Sequence, residues 1–230
     1  YLSQAYIQCN KLPQAYEQLQ KMSEAQPDNQ KILIRMAEVA YMMEDYNVMA
    51  DACEKAVVIN NENPLVYFFY ARACHGLGDY NNAVAMLTKA ISLKNDYYDA
   101  YLLRGEVLLE TEDVDAADED VAYLQEHVGD TEDILLLKAR IEEKKGNNET
   151  VVNIYNKVVE LNPFCVAAFR GRGKAKKAVG DEQGAEEDLK TADELEPANN
   201  QAENADAQDV EGRVKQIYKN NDPYGIFSNN

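Results

Sequence analysis

Long apolar runs are missing from this chain: nothing approaches the roughly 18 to 20 consecutive apolar residues that span a bilayer, and no signal peptide is visible. No membrane insertion is therefore expected. The four cysteines, Cys9, Cys53, Cys74 and Cys165, contain no CxxC pairing, which argues against a zinc framework and for buried thiols in a reducing compartment. Histidine is scarce. His75 and His127 have no nucleophile, acid or ligand partner at recognisable spacing, so no enzyme, no catalytic residue, no metal and no cofactor are expected. Bases are also few: 23 against 41 acids leave a net charge of −18, which repels phosphate backbones and most membrane surfaces, so nucleic acid is not an expected partner.

What the chain does have is a stride. The stretch Pro64–Asn95 holds two short helical patterns joined by Gly78-Asp79, with Tyr67, Tyr70, Ala71 and Cys74 on one face and Ala83, Leu87 and Ala90 on the other. Steps of 34 residues from Ala71 reach Ser3, Ala37, Gly105, Ala139 and Gly173, all small. The same step from Ala83 reaches Ala15, Met49, Ala117, Val151 and Ala185, and from Ala90 it reaches Met22, Ala56, Leu124, Val158 and Ala192. From Asn95 it reaches Pro27, Asn61, Gly129, Pro163 and Pro197, which stop helices or favour turns. The registers agree without an insertion. Small side chains at such a spacing belong where two helix backbones approach closely.

This pattern resembles the tetratricopeptide repeat, with an aromatic at repeat position 4, small residues at 8, 20 and 27, and proline near 32. Val166–Asn199 matches it best, placing Phe169, Gly173, Ala185, Ala192 and Pro197 at those positions. Met49 and Leu124 depart from it by bulk, and Glu142 and Lys176 by polarity at position 11. The resemblance implies an all-α fold, a right-handed α-α superhelix of helical hairpins. The array covers 1–199: a fragment over 1–29, then repeats 30–63, 64–97, 98–131, 132–165 and 166–199. Since the sequence opens at Tyr1, without Met and inside what would be a first helix, an upstream portion is expected. A cytoplasmic location is favoured, with periplasmic or secreted placement left open for that reason.

After Pro197 the residues Ala198–Gln208 offer no branched or aromatic side chain to bury, and 200–209 is expected to be a polar linker or frayed helix. Val210, Val214 and Ile217 then recur at helical spacing, which predicts a capping helix over the open face of the last repeat, within 210–230. The Tyr224–Phe227 tail packs beside that cap or occupies a groove on this or a neighbouring molecule.

Two local motifs suggest chemistry and fail the test of spacing. Arg170-Gly171-Arg172-Gly173-Lys174 looks like a phosphate loop, but Ala175 stands where Ser or Thr is required. The acidic run Glu110–Asp120 lacks the sharp-turn glycine of a calcium loop and reads as a solvated helix start.

The resemblance also implies that first helices line a concave surface through positions 2, 5, 9, 12 and 13. The residues expected to bind a peptide there are Ile34, Tyr41, Phe68, Arg72, Leu102, Glu106, Arg140, Lys144, Arg170, Lys174 and Lys177. The groove grades from aromatic and aliphatic to basic: nine of the 23 bases fall in Lys138–Lys145 and Arg170–Lys177. The Lys/Asn carboxylate clamp of chaperone-binding members is absent from any three successive repeats. Two readings stay open: an acidic peptide meets these bases, or the bases balance nearby acids such as Glu106 and Glu143. The expected function is a protein-protein interaction adaptor. The alternatives are a self-associating structural protein, hence a homo-oligomer, or the interaction module of a longer envelope protein or enzyme.

Overall fold

The computed structural model describes residues 2–206, with side chains placed over 3–196. Among them every regular element is a helix. The elements are α1 (Leu2–Gln8), α2 (Leu12–Ala25), α3 (Gln30–Met42), α4 (Tyr46–Ile59), α5 (Pro64–Gly76), α6 (Tyr80–Leu93), α7 (Tyr98–Glu110), α8 (Val114–His127), α9 (Glu132–Lys145), α10 (Asn148–Leu161), α11 (Val166–Ala178) and α12 (Glu182–Asp206). Each packs on its neighbour in sequence, so the chain is a solenoid of consecutive hairpins. First helices begin at 30, 64, 98, 132 and 166, and second helices from α4 onward at 46, 80, 114, 148 and 182. Both series keep the 34-residue stride of the side chains.

The seams explain the stride. Ala37, Ala71 and Ala139 on first helices, with Ala83, Ala117, Ala90 and Ala192 on second helices, are at most 1% exposed. Met49 and Leu124, the bulky departures, are 0% and 1% exposed. Their hairpins compensate elsewhere, Met49 with Ala37 and Ala56, Leu124 with Gly105 and Ala117. The polar residues at position 11 are also accommodated: Glu142 accepts from Asn147 Nδ2 at 2.7 Å, and Lys176 reaches Asp188 at 2.9 Å.

The turn inside each hairpin is built the same way every time. The N–H at position 16 donates to the carbonyl at position 11, as in Asp45 to Ala40, Asp79 to Cys74 and Asp181 to Lys176, at 2.8 to 2.9 Å. This closure requires a left-handed residue at position 15, supplied by Gly78, Gly146 and Gly180 but also by Glu44 and Glu112, at φ 56° and 61°. Asp45, Asp79, Asp113 and Asp181 then cap the second helix by accepting a backbone N–H three residues on.

Two buried ion pairs recur in register. Arg104 donates to Asp120 at 2.8 and 2.6 Å and to Thr88 Oγ1 at 3.1 Å; Arg172 donates to Asp188 at 2.7 and 2.6 Å and to Asn156 Oδ1 at 2.9 Å. Each arginine, at position 7, ties its own second helix to that of the preceding repeat. Arg172 is thereby committed to packing. Asp120, inside the acidic run, is 3% exposed rather than solvated, while Asp113 in the same run caps α8.

The end of the array departs from expectation. α2 stops before Pro27 and α10 before Pro163, but α12 runs through Pro197 to Asp206. After Pro27 and Pro163 an apolar first helix packs back and draws the chain into a turn. At 200, where the stride would start the next first helix, residues 200–206 carry no branched or aromatic side chain, so no apolar helix begins there to turn the chain back. Of the polar linker or frayed helix expected over 200–209, residues 200–206 are helix. Residues 207–209, the capping helix and the tail lie outside the described residues.

Replacing Glu44 or Glu112 by Gly is expected to stabilise the chain by about 0.5–1 kcal/mol in urea melts, because left-handed strain of about 1–2 kcal/mol is relieved against a smaller entropic cost. Asp188 gives a pH test. Burial pushes its carboxyl up, but the bonds from Arg172 and Lys176 outweigh burial and hold it below the usual aspartate range. Its contribution is therefore present above the unfolded value near pH 4 and is lost as pH falls through the lower folded value. Asp188→Asn should cost about 3 kcal/mol at neutral pH and flatten the acid limb of the stability profile.

Candidate functional site

First helices of 13 or 14 residues starting at equal stride place their positions 2, 5, 9, 12 and 13 in one continuous band. The structure does not leave every expected residue of that band open. Ile34 is 4% exposed and belongs to the apolar cluster of Leu65 and Val66, with Tyr6 and Ile7 packed against it. It is core, not groove. The reason is that α3 meets α5 directly, which covers position 5 of the earlier helix; Glu38 at position 9 is likewise 2% exposed and pairs with Arg35 at 3.0 Å.

Further along, Tyr41, Phe68 and Arg72 form one assembly. Arg72 Nη2 donates to Tyr41 Oη at 2.6 Å, and its guanidinium sits 4.1 Å from the Tyr41 ring centre and 5.7 Å from that of Phe68. Phe68 also meets Tyr97 at 5.1 Å. All three expected residues are half-buried, and so is Leu102.

The middle of the band is charged. Burial pushes the Glu106 carboxyl above its usual range, against the pull of Arg140, His75 and Arg72 and with the push of Asp133. Burial likewise raises Asp99, opposed by Lys94 and Arg72. Asp99 is nevertheless open to solvent. Residues from α5, α7 and α9 feel one another there, as the band requires.

At the basic end the charges divide. Arg140 pairs with Glu110 at 3.5 Å, and Arg170 with Glu196 at 2.6 Å and Asp193 at 3.6 Å. Lys144, Lys174 and Lys177 are exposed and make no ion pair among the described residues. Arg170 and Lys174 also line a cleft of about 460 Å³ between α9, α10 and α11, with Glu143, Asn148, Tyr155 and Gly171. Tyr155 Oη donates to Glu143 Oε1 at 2.8 Å. A Cβ on Gly171 would stand 2.3 Å from the Tyr155 ring, so only glycine lets that ring lie against α11. Tyr155 and Gly171 escape a reading by small-residue stride because Gly171 is not at position 8; the ring facing it is the signal.

Among the described residues no group of three or more His, Cys, Asp or Glu is placed to hold a metal, and no helix is long and apolar enough to cross a membrane. Cys53, Cys74 and Cys165 are buried free thiols and Cys9 is exposed. Burial raises the Cys53 thiol strongly and the Cys74 thiol to about 11, which leaves both protonated and unreactive at neutral pH.

Two family models, each described as tetratricopeptide repeat, match residues 75–141 and 132–165. No curated protein sequence matches the chain. Among solved structures, a tetratricopeptide repeat protein from Parabacteroides merdae is 17% identical with a TM-score of 0.73, over 82% of this chain and 75% of its own. PilW, a type IV pilus biogenesis factor, is 17% identical with a TM-score of 0.73, over 81% of this chain and 87% of its own. YrrB, described as having an unusual peptide-binding site, is 17% identical with a TM-score of 0.63, over 82% of this chain and 97% of its own. At these identities the likeness is one of fold. Family models falling inside the array, hairpins at a fixed stride and the same fold in solved repeat proteins lead to one assignment: residues 75–165 are tetratricopeptide repeats, and the hairpins on either side continue their stride and their fold.

Proposed function

We propose that this repeat scaffold is an adaptor that holds a polypeptide segment along its first-helix band, with an acidic part of the segment at the α9–α11 end. The observation that carries the reading is the division of charge there. Arg140 and Arg170 are occupied by the protein's own acids, whereas Lys144, Lys174 and Lys177 are exposed and unpaired among the described residues. In a chain of net charge −18, uncompensated lysines beside a cleft favour an anionic visitor through both rate and orientation. Leu102 and the edge of Phe68 offer half-buried apolar surface for a flanking side chain, since a mixed apolar and charged band suits an extended or helical peptide. The peptide-binding site of YrrB is a property of that protein and illustrates what such a fold can host.

The test is selection from a displayed peptide library on the wild-type chain beside Lys144→Glu/Lys174→Glu/Lys177→Glu. Wild type should enrich acidic peptides bearing an aromatic or aliphatic anchor. Exposed charges contribute about 0.2–1 kcal/mol each, so reversing three should weaken the selected peptides at least about tenfold, and raised salt should weaken wild-type binding likewise. Selected peptides that lack acids, or that bind the reversed variant equally, would overturn the reading.

A further inference from the structure

One junction of the array departs from its neighbours at three positions together. Position 24 of the second helix carries Cys53, Leu87, Val121 and Leu189 in α4, α6, α8 and α12, but Tyr155 in α10. Position 6 of the first helix carries Arg35, Phe69, Leu103 and Leu137, but Gly171 in α11, and position 12 carries an acid only in α9, as Glu143. The three meet in the cleft of about 460 Å³ that Asn148, Arg170 and Lys174 also line. Tyr155 is 5% exposed, and a Cβ on Gly171 would stand 2.5 Å from its Oη. The missing side chain at 171 lets the phenol lie where it donates to Glu143 Oε1 at 2.8 Å.

Glu143 and Lys174 thus line one cleft, yet neither makes an ion pair among the described residues. The phenol accounts for that. A buried hydroxyl without a partner costs more than an exposed ion pair returns, and an O–H on a carboxylate is among the stronger hydrogen bonds, so Glu143 is drawn to Tyr155 rather than to Lys174. Burial, and then the Glu143 carboxylate, push the Tyr155 phenol up, which keeps it protonated and a donor at neutral pH. Arg170 is already taken by Glu196 at 2.6 Å. Lys174 is the cation that this arrangement leaves open beside the cleft.

We propose that Tyr155 is a positioning residue: its hydroxyl holds Glu143 away from Lys174 and so keeps that ammonium open for a carboxylate of a bound polypeptide. Tyr155 acts through Glu143 and needs no contact with the visitor. Only the last step, the carboxylate, depends on the peptide-holding role proposed above.

Acetylation of the full chain with an amine-reactive ester, read lysine by lysine in a mass spectrometer, tests this, with the exposed Lys55 and Lys89 as internal standards. Tyr155→Phe keeps the ring against Gly171 and removes the donor. Glu143 then turns to Lys174, which should acetylate about two- to fivefold more slowly than in wild type, the range of one exposed ion pair. Tyr155→Phe/Glu143→Gln should return Lys174 to the wild-type rate. An unchanged rate in Tyr155→Phe, or a slower one that Glu143→Gln does not restore, would overturn the proposal. A hexaglutamate peptide separates the two claims: it should protect Lys174 in wild type, and Tyr155→Phe should need about two- to fivefold more of it. No protection in wild type would overturn the peptide-holding role, while the rates without peptide still decide whether Tyr155 restrains Glu143.

Discussion

Two helix backbones can lie close together only where nothing larger than a small side chain stands between them, and every later feature of this molecule depends on that closeness. Ala71, Ala83 and Ala90 are all 0% exposed. Dispersion falls off steeply with separation, so one added methylene would loosen contacts along a whole hairpin. Each hairpin is also the platform for the next, and an error in one seam would propagate. The constant spacing of helix starts shows that it does not, and this regularity aligns the first helices into a single band.

Seams of this kind are legible in a sequence because side-chain size survives sampling at a fixed stride. Charges are not legible in the same way. Arg104, Asp120, Arg172 and Asp188 resemble solvated surface residues in an acidic chain, yet their side chains are 19%, 4%, 13% and 6% exposed. The signal that marks them is internal: Arg occurs at position 7 in the same two repeats that carry Asp at position 23, while the other repeats place Ala52, Met86 and Ile154 there. Seeing it requires the register first and a comparison between repeats second. The helix through Pro197 was hidden for another reason. Proline disfavours a helix interior through its missing N–H and its ring, but whether the helix ends there depends also on what the following residues gain by turning back, which side-chain type at one position does not report.

The candidate site was legible as a face and only partly as a set of residues. Tyr41, Phe68, Arg72, Leu102 and Glu106 lie half-buried along it, and Lys144, Lys174 and Lys177 lie exposed at its end. Ile34 does not, because the separation between successive first helices is set by three-dimensional packing and closes over position 5 where α3 meets α5. Sequence position likewise identified Arg140 and Arg170 as basic without showing that Glu110, Asp193 and Glu196 lie opposite them. The reading that the bases balance nearby acids fits the arginines, whereas Lys144, Lys174 and Lys177 make no ion pair among the described residues.

The direction of each carboxyl's shift separates charges the fold uses from charges it tolerates. Asp188 is held low by Arg172 and Lys176 despite its burial, so its ionised form stabilises the native state. Glu106 and Asp99 are held high by burial that their cationic neighbours do not fully offset, so their ionised forms cost stability as pH rises past the unfolded carboxyl range. A seam in which charges were penalised would not persist against apolar replacements of similar size. A band in which they are penalised serves no packing purpose, and departures from local consistency of that sort concentrate where a protein meets something other than itself. The stabilising pairs lie in the seams and the penalised acids lie in the band, which agrees with the proposal that the first helices carry the working surface.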